Sequence, residues 1–292
     1  MPTSGAIHRG FVERLRFFDP FTLLVLPMAL YVAGFTFYPL AEAVVMGFVD
    51  RFTHEFTLSN YYAVIQHYQF RESLRNTLIV TGAGLFLELS LGLVIALILA
   101  ERFPGSGGIR ALLLLPLGIP TVVSATNMRY IFDTSGFLNS ALVRLGLLEH
   151  PVDFAGGVAL PLMTILVADL WKVTPLIMLI LLAGLEAIPK ELYRAASMDG
   201  AGPWQRFRHV TLPLLKPSIT MALIIRGIDA FRIFELPLIL TGRHTPLLAT
   251  YTYFEYYDHN NVHTSAASGT ILLVIIFVFI TFYLRFVGRK ET

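Results

Sequence analysis

An all-α polytopic membrane protein, with six transmembrane helices in one integral domain, is the fold class that this sequence predicts. Three observations carry the expectation. Composition is the first: of 292 residues, 55% are hydrophobic and 14% charged, with 23 Phe and a mean hydropathy of +0.66. A soluble domain would carry roughly 25% charged residues. The second is six separate runs of the kind a bilayer requires, about 20 mostly apolar residues each. The third is an imbalance of Lys and Arg between alternate connections.

Residues 1–18 read as an N-terminal cytoplasmic segment and 19–292 as a single transmembrane domain, without internal repeat, low-complexity tract or long linker. The first span, Phe21–Phe48, is too long for a signal-peptide core, and no small-residue cleavage site follows it. Pro27, Gly34 and Pro39 within it predict a kinked or tilted helix. The others are Asn76–Ala100, Ala111–Phe132, Val158–Gly184, Ser218–Thr241 and Thr264–Val287. Between the fourth and fifth lies the one long basic connection, residues 185–217. With the N-terminus inside, 13 Lys and Arg fall in cytoplasmic segments and 6 in outer ones. The positive-inside rule therefore places both termini and the basic connection in the cytoplasm of a multi-pass cell-membrane protein. The outer connections, about 20 to 30 residues each, are too short for a substrate-capturing domain.

Several chemistries are excluded at this level. The chain has no Cys, hence no disulfide, thiol nucleophile or cysteine metal site. It has no G-x-x-x-x-G-K-[ST] phosphate loop; Gly105-Ser-Gly-Gly108 follows Pro104 and reads as a turn. No enzymatic role or resident cofactor is expected, and energy for any active transport must come from another polypeptide. His259 and His263 stand at i,i+4 without the glutamate of a zincin motif, so no metal is expected. The net charge of +2 is spread over loops and points to no nucleic-acid partner.

Charges at membrane depth cost several kcal/mol unless paired or facing water, so each is a candidate site. Asp169 and Lys172 in the fourth span are i,i+3 and are expected to pair on one helical face. They serve either a structural pair between helices or the wall of a cavity. Pro175 can free the Trp171 carbonyl for a ligand or water. In the fifth span Arg226, Asp229, Arg232 and Glu235 follow at i+3 steps with alternating sign, a spiral stripe in which neighbours can neutralise one another. A structural network and a water-filled path both fit. Asn127, Tyr130, Phe132 and Trp171 offer hydrogen bonds and flat aromatic faces, a mixture suited to sugars. For Tyr130, near a span end, membrane-interface anchoring is the stronger reading.

The stretch Glu191-Leu-Tyr-Arg194-Ala195-Ala196-Ser-Met198-Asp199-Gly200-Ala201-Gly202, running on to Val210-Thr-Leu212-Pro213, is a polar island in this apolar chain. It resembles the EAA loop of ATP-binding-cassette importer permeases, roughly E-A-A-x3-G-x9-I-x-L-P. Ala195, Ala196 and Gly200 keep the first spacing, and Val210, Leu212 and Pro213 close the loop at the expected distance. Arg194 stands where the name-giving Glu would be. Leu182-Ala-Gly-Leu185-Glu-Ala-Ile-Pro189, Leu212-Pro-Leu-Leu-Lys-Pro217, Trp171-Lys172-x-Thr174-Pro175 and Arg226-x-x-Asp229-Ala-Phe-Arg-Ile-Phe234 resemble the carbohydrate-uptake branch, nearest in look to trehalose- and maltose-type permeases. Thr241-Gly-Arg243-His244-Thr-Pro246 departs from that branch's glycine-rich turn.

The resemblance implies a sugar permease that works by alternating access, with Glu191, Arg194, Ala195, Ala196, Met198, Asp199, Gly200 and Ala201 on a cytoplasmic coupling helix. It implies a second homologous permease, an ATPase dimer carrying ATP and Mg, and an extracytoplasmic solute-binding protein as partners. Substrate-path candidates are Asn127, Tyr130, Asp169, Trp171, Lys172, Arg226, Asp229 and Arg232. Alternatives are a glycerol-phosphate or other polyol substrate, or a secondary transporter without an ATPase.

Overall fold

Bilayer physics admits helices because each satisfies its own backbone polar groups without water. The computed structural model describes residues 20–101, 103–157 and 159–286; the expected segment 1–18 lies outside them. Helices make up 78% of the structure, and among the described residues β-pairing is limited to an isolated bridge between Val49 and Phe56. Five helical stretches are long and apolar enough to cross a membrane, or six if one sharply bent pair is a single span.

The first span consists of α1 (Pro20–Val32), a π turn over Ala33–Phe37, and α2 (Tyr38–Gly47). Tyr38 N–H donates five residues back to Ala33 O, immediately before Pro39. A second π turn, Phe207–Thr211, has the same relation to a proline: Leu212 N–H donates to Phe207 O just before Pro213. Proline has no N–H, and its ring crowds the carbonyl four residues earlier; a widened turn relieves both problems without ending the helix.

After α3 (Ser59–Gln66), α4 (Tyr68–Ala100) runs for 33 residues, about 50 Å. It begins eight residues before the span expected at Asn76, and in that added stretch Phe70 is buried against Tyr251 while Ser73 Oγ donates to Gln69 O. Asn76 Nδ2 donates to Pro246 O, and Thr77 Oγ1 accepts the Leu248 N–H. The third span departs from expectation. In place of one helix over Ala111–Phe132, the chain forms α5 (Ser106–Gly118) and α6 (Thr121–Phe132), and the pair, with α7 (Phe137–Arg144), bends by 98°. Pro120 lacks the N–H that would reach Pro116 O, and Ile119 is extended.

The fourth span is α8 (Ala159–Glu186), followed by α9 (Lys190–Met198) and α10 (Pro203–Arg206). The fifth also departs from expectation. Continuous helix runs from Pro203 through the second π turn and α11 (Leu212–Phe231), then stops. Arg232 caps α11, and the apolar stretch that follows folds as a separate short helix, α12 (Glu235–Leu240). The chain closes with α13 (Leu248–Tyr257) and α14 (Val262–Phe286).

The α4–α8 pairing is the most extensive helix contact, and α11 packs against both. Gly92 makes the approach possible: a Cβ there would lie 2.8 Å from Ile177 Cγ2 and 3.2 Å from the Met178 nitrogen. Ala96, Leu99, Ile177, Met178, Leu181 and Leu215 fill the seam. Lipid tails are as apolar as leucine, so in a bilayer this seam is held by close packing and interhelical hydrogen bonds more than by water exclusion.

Candidate functional site

Three helices meet at a buried charge network. Arg226 of α11 donates from Nε to Glu88 Oε2 at 2.7 Å and from Nη2 to Glu88 Oε1 at 2.9 Å. The same Nη2 donates to Asp169 Oδ2 of α8. The side chains of Arg226, Glu88 and Asp169 are 4%, 0% and 4% exposed. A guanidinium is the group suited to this position, because its rigid fork serves two carboxylates at once and stays charged.

This network replaces two sequence expectations. Asp169 pairs with Arg226, and Lys172 turns away from it, donating to Ile119 O at 2.6 Å and Pro116 O at 3.4 Å. The i,i+3 spacing permitted the local pair, yet Arg226 offers Asp169 a guanidinium N–H, and the broken span offers Lys172 the Ile119 carbonyl as its short acceptor. The spiral stripe of the fifth span is likewise cut short. Arg226 bonds toward Glu88 and Asp169, Asp229 bonds Arg232 at 3.0 Å in a largely exposed pair, and Glu235 begins the next helix.

Asp169, Lys172, Arg226, Asp229 and Arg232 nevertheless line one cavity, of about 440 Å³, with Glu235 as a further acidic wall. Asn127, Tyr130 and Trp171 lie apart from it, around a second cavity of about 550 Å³ that Ile119 also lines. Tyr130 is 72% and Trp171 40% exposed. Trp171 also borders a more apolar recess with Pro116, Thr174 and Pro175. Leu117 and Thr121 face the charged cavity and Ile119 the other, so the α5–α6 break stands between the two. Beyond α6, the Asp133 carboxyl is held below its usual range by the hydroxyl and N–H of Ser135.

Glu88 was missed in the sequence, although a signal existed. It is a lone carboxylate within Leu85-Phe-Leu-Glu88-Leu-Ser-Leu91, and the rule that singled out Asp169 and Arg226 applies to it equally.

At one end of the bundle stands α9, with none of its residues buried. Its C-terminus is a Schellman turn: Ala201 N–H donates to Ala196 O at 2.9 Å and Gly200 N–H to Ser197 O at 3.1 Å. Gly200 has φ +79°, which a side chain adopts only with strain. The small residue in the A-A-x3-G spacing thus has a backbone cause. Arg194 pairs loosely with Glu191 at 3.8 Å, both largely exposed. Ala195, Met198 and Asp199 face outward, and Ala196 is half-buried. Tyr193 ties the helix down through a 3.0 Å hydrogen bond to Thr211, and Arg206 donates to Ser197 Oγ at 3.1 Å. Beneath lies a hollow of about 910 Å³, bordered by Glu101, Glu186, Lys190, Tyr193 and Trp204. Near the opposite side of the fifth span, Arg243 of the unusual turn reaches Asp258 at 2.6 Å and stacks over Phe254.

Charges retained at membrane depth beside a cavity, within a polytopic helical bundle, mark a membrane transport component. Residues 89–291 match the family model of the binding-protein-dependent transport system inner membrane component, and the chain belongs to that family, whose members are membrane components rather than catalytic enzymes. It is 40% identical over 240 residues to the trehalose/maltose transport system permease protein MalF of Thermococcus litoralis, covering 80% of this chain and 79% of the relative. It is 33% identical over 276 residues to the trehalose transport system permease protein SugA of Mycobacterium tuberculosis, covering 89% and 87%. A solved bacterial alginate ABC transporter, in complex with alginate pentasaccharide-bound periplasmic protein, contains a chain that superposes with a TM-score of 0.84. That match is 22% identical, covers 96% of this chain and 98% of the other, and shows a common fold.

Proposed function

We propose that this chain is a permease subunit of an ATP-binding-cassette importer, moving trehalose, maltose or a related glucoside by alternating access. It works with a second, homologous permease, an ATPase dimer that holds ATP and Mg, and an extracytoplasmic solute-binding protein. Helix α9, with Glu191, Arg194, Ala195, Ala196, Met198, Asp199, Gly200 and Ala201 on or beside it, is the coupling helix. Both termini and α9 face the cytoplasm, as the Lys and Arg distribution supports. The names borne by the 40% and 33% identical relatives support the sugar class.

Substrate passes beside the charged cavity, where Asp229 and Arg232 present exposed hydrogen-bonding groups, and past Asn127, Tyr130 and Trp171, which supply an amide and stacking faces. Closure of the ATPases would move α9, and the two permeases would rock about the substrate site.

The observation that carries the coupling assignment is that α9, a polar helix with no buried residue, stands at one end of an apolar bundle and closes in the Schellman turn at Gly200. Because the chain has no Cys, a cysteine at Met198, 83% exposed, is the single thiol cross-linking site on this subunit. Cross-linking to the ATPase subunit, with a yield that changes between nucleotide-free and ATP-bound states, is the expected result. Labelling of Met198→Cys by bulk reagent at full rate in the intact complex would overturn the assignment.

A further inference from the structure

The break in the third span interrupts the helical ladder at membrane depth, where a backbone carbonyl left without a donor is costly. Pro120 has no N–H, so Pro116 O accepts instead from the Ile119 N–H at 3.3 Å, and Ile119, at φ −88° and ψ 129°, carries the chain out of the helix. Lys172, from the middle of α8, meets this need. Its Nζ donates to Ile119 O at 2.6 Å and to Pro116 O at 3.4 Å, across 53 and 56 residues of sequence. A compact cation at a helix C-terminus also complements the helix dipole. Its ammonium is therefore engaged with backbone even though Asp169 lies one turn away on the same helix.

We infer that Lys172 is a positioning residue whose ammonium clamps the α5–α6 break and so fixes the wall between the two cavities. Everything on α6 depends on that angle. Thr121 is carried into the charged cavity, while Asn127 and Tyr130 are carried to the second. Lys172 itself borders the charged cavity, so the clamp sits where a passing substrate can feel it. The geometric claim stands on the hydrogen bonds alone; its consequence for uptake rests on the reading of these cavities as part of the substrate path.

The absence of Cys from this chain allows two spin labels to be placed on it without background from its own residues, on Leu112→Cys in α5 and Arg129→Cys in α6, both exposed, with any cysteines of the partner subunits replaced. Their distance distribution is measured in the assembled transporter, reconstituted in lipid, with Lys172 intact, Lys172→Met or Lys172→Arg. Lys172→Met is expected to shift or broaden the distribution, and Lys172→Arg, which still donates to carbonyls, to restore most of it. In parallel, the half-saturation concentration for labelled trehalose uptake should rise about tenfold in Lys172→Met, with the saturated ATPase rate changed less than about twofold. An unchanged distance distribution in Lys172→Met overturns the clamp. A moved distribution with unchanged half-saturation supports the clamp and counts instead against the cavities as the substrate path. If Lys172→Met fails to fold, folded yield is compared between Lys172→Arg, which keeps a donor for Ile119 O, and Lys172→Leu, which does not. The clamp predicts recovery in Lys172→Arg alone, and equal yields in the two contradict the clamp.

Discussion

Arg226 and Glu88, 138 residues apart in sequence, are joined by two parallel hydrogen bonds inside the bundle, with both side chains almost fully buried. Asp169 completes the network from a third helix, so α4, α8 and α11 share one polar junction at the heart of their packing. Removing one partner from a buried pair leaves an uncompensated charge, which typically costs about 3–5 kcal/mol. Arg226→Met, which strips both carboxylates of their cation, should lower the thermal stability of the detergent-solubilised chain sharply, and Glu88→Gln, which leaves Arg226 paired with Asp169, should lower it less. The double variant should recover at least ~1 kcal/mol relative to additivity. Full additivity in a double-mutant cycle would show that the two groups do not interact.

Asp169 should couple to Arg226 and not to Lys172. Cycles with Asp169→Asn should therefore give an interaction energy above ~1 kcal/mol with Arg226→Met, and one within ~0.5 kcal/mol of zero with Lys172→Met. The opposite ranking would restore the local i,i+3 pair that the sequence alone suggests.

Gly200 should tolerate substitution poorly for a backbone reason and for a contact reason. At φ +79°, Gly200→Ala costs about 1–2 kcal/mol of local strain at the end of α9. Gly200→Arg adds bulk on the exposed end and should abolish uptake while membrane insertion and folded yield remain. Normal ATP-driven uptake by Gly200→Arg would remove α9 from the coupling role.

Trp171 distinguishes a stacking surface from a packing residue. Trp171→Ala should reduce uptake roughly tenfold, in keeping with the loss of one stacking face toward substrate, and should lower ATPase activity far less. A parallel fall of uptake, ATPase activity and protein yield would make Trp171 a packing residue.

The spans were legible because a bilayer sets a length and polarity that the chain must satisfy locally; the first, second, fourth and sixth were visible as apolar runs. Hydropathy counts side chains and ignores the backbone ladder, which is why the third span read as continuous across Pro116, Gly118 and Pro120. The same blindness carried the fifth span past Arg232 into the apolar Leu236–Leu240 stretch, which is a separate helix. Polar partners were the least legible part. Periodicity ranks neighbours within one helix, so it proposed Asp169 with Lys172 and could not see that Glu88 and Asp169 converge on Arg226 from two other helices. The polar loop was readable because its geometry is local: Gly200 sits where a Schellman turn requires a left-handed residue.

Transport of unaltered sugar at the expense of ATP is the central claim, and reconstitution tests it most directly. The complete assembly, formed with its cognate permease, ATPase and binding protein, is placed in liposomes and supplied with radiolabelled trehalose or maltose. The account predicts accumulation of chemically unchanged label that requires both ATP and the binding protein, and that is lost in Gly200→Arg. Accumulation that proceeds without ATP, driven by an ion gradient alone, or recovery of a chemically altered sugar would contradict it.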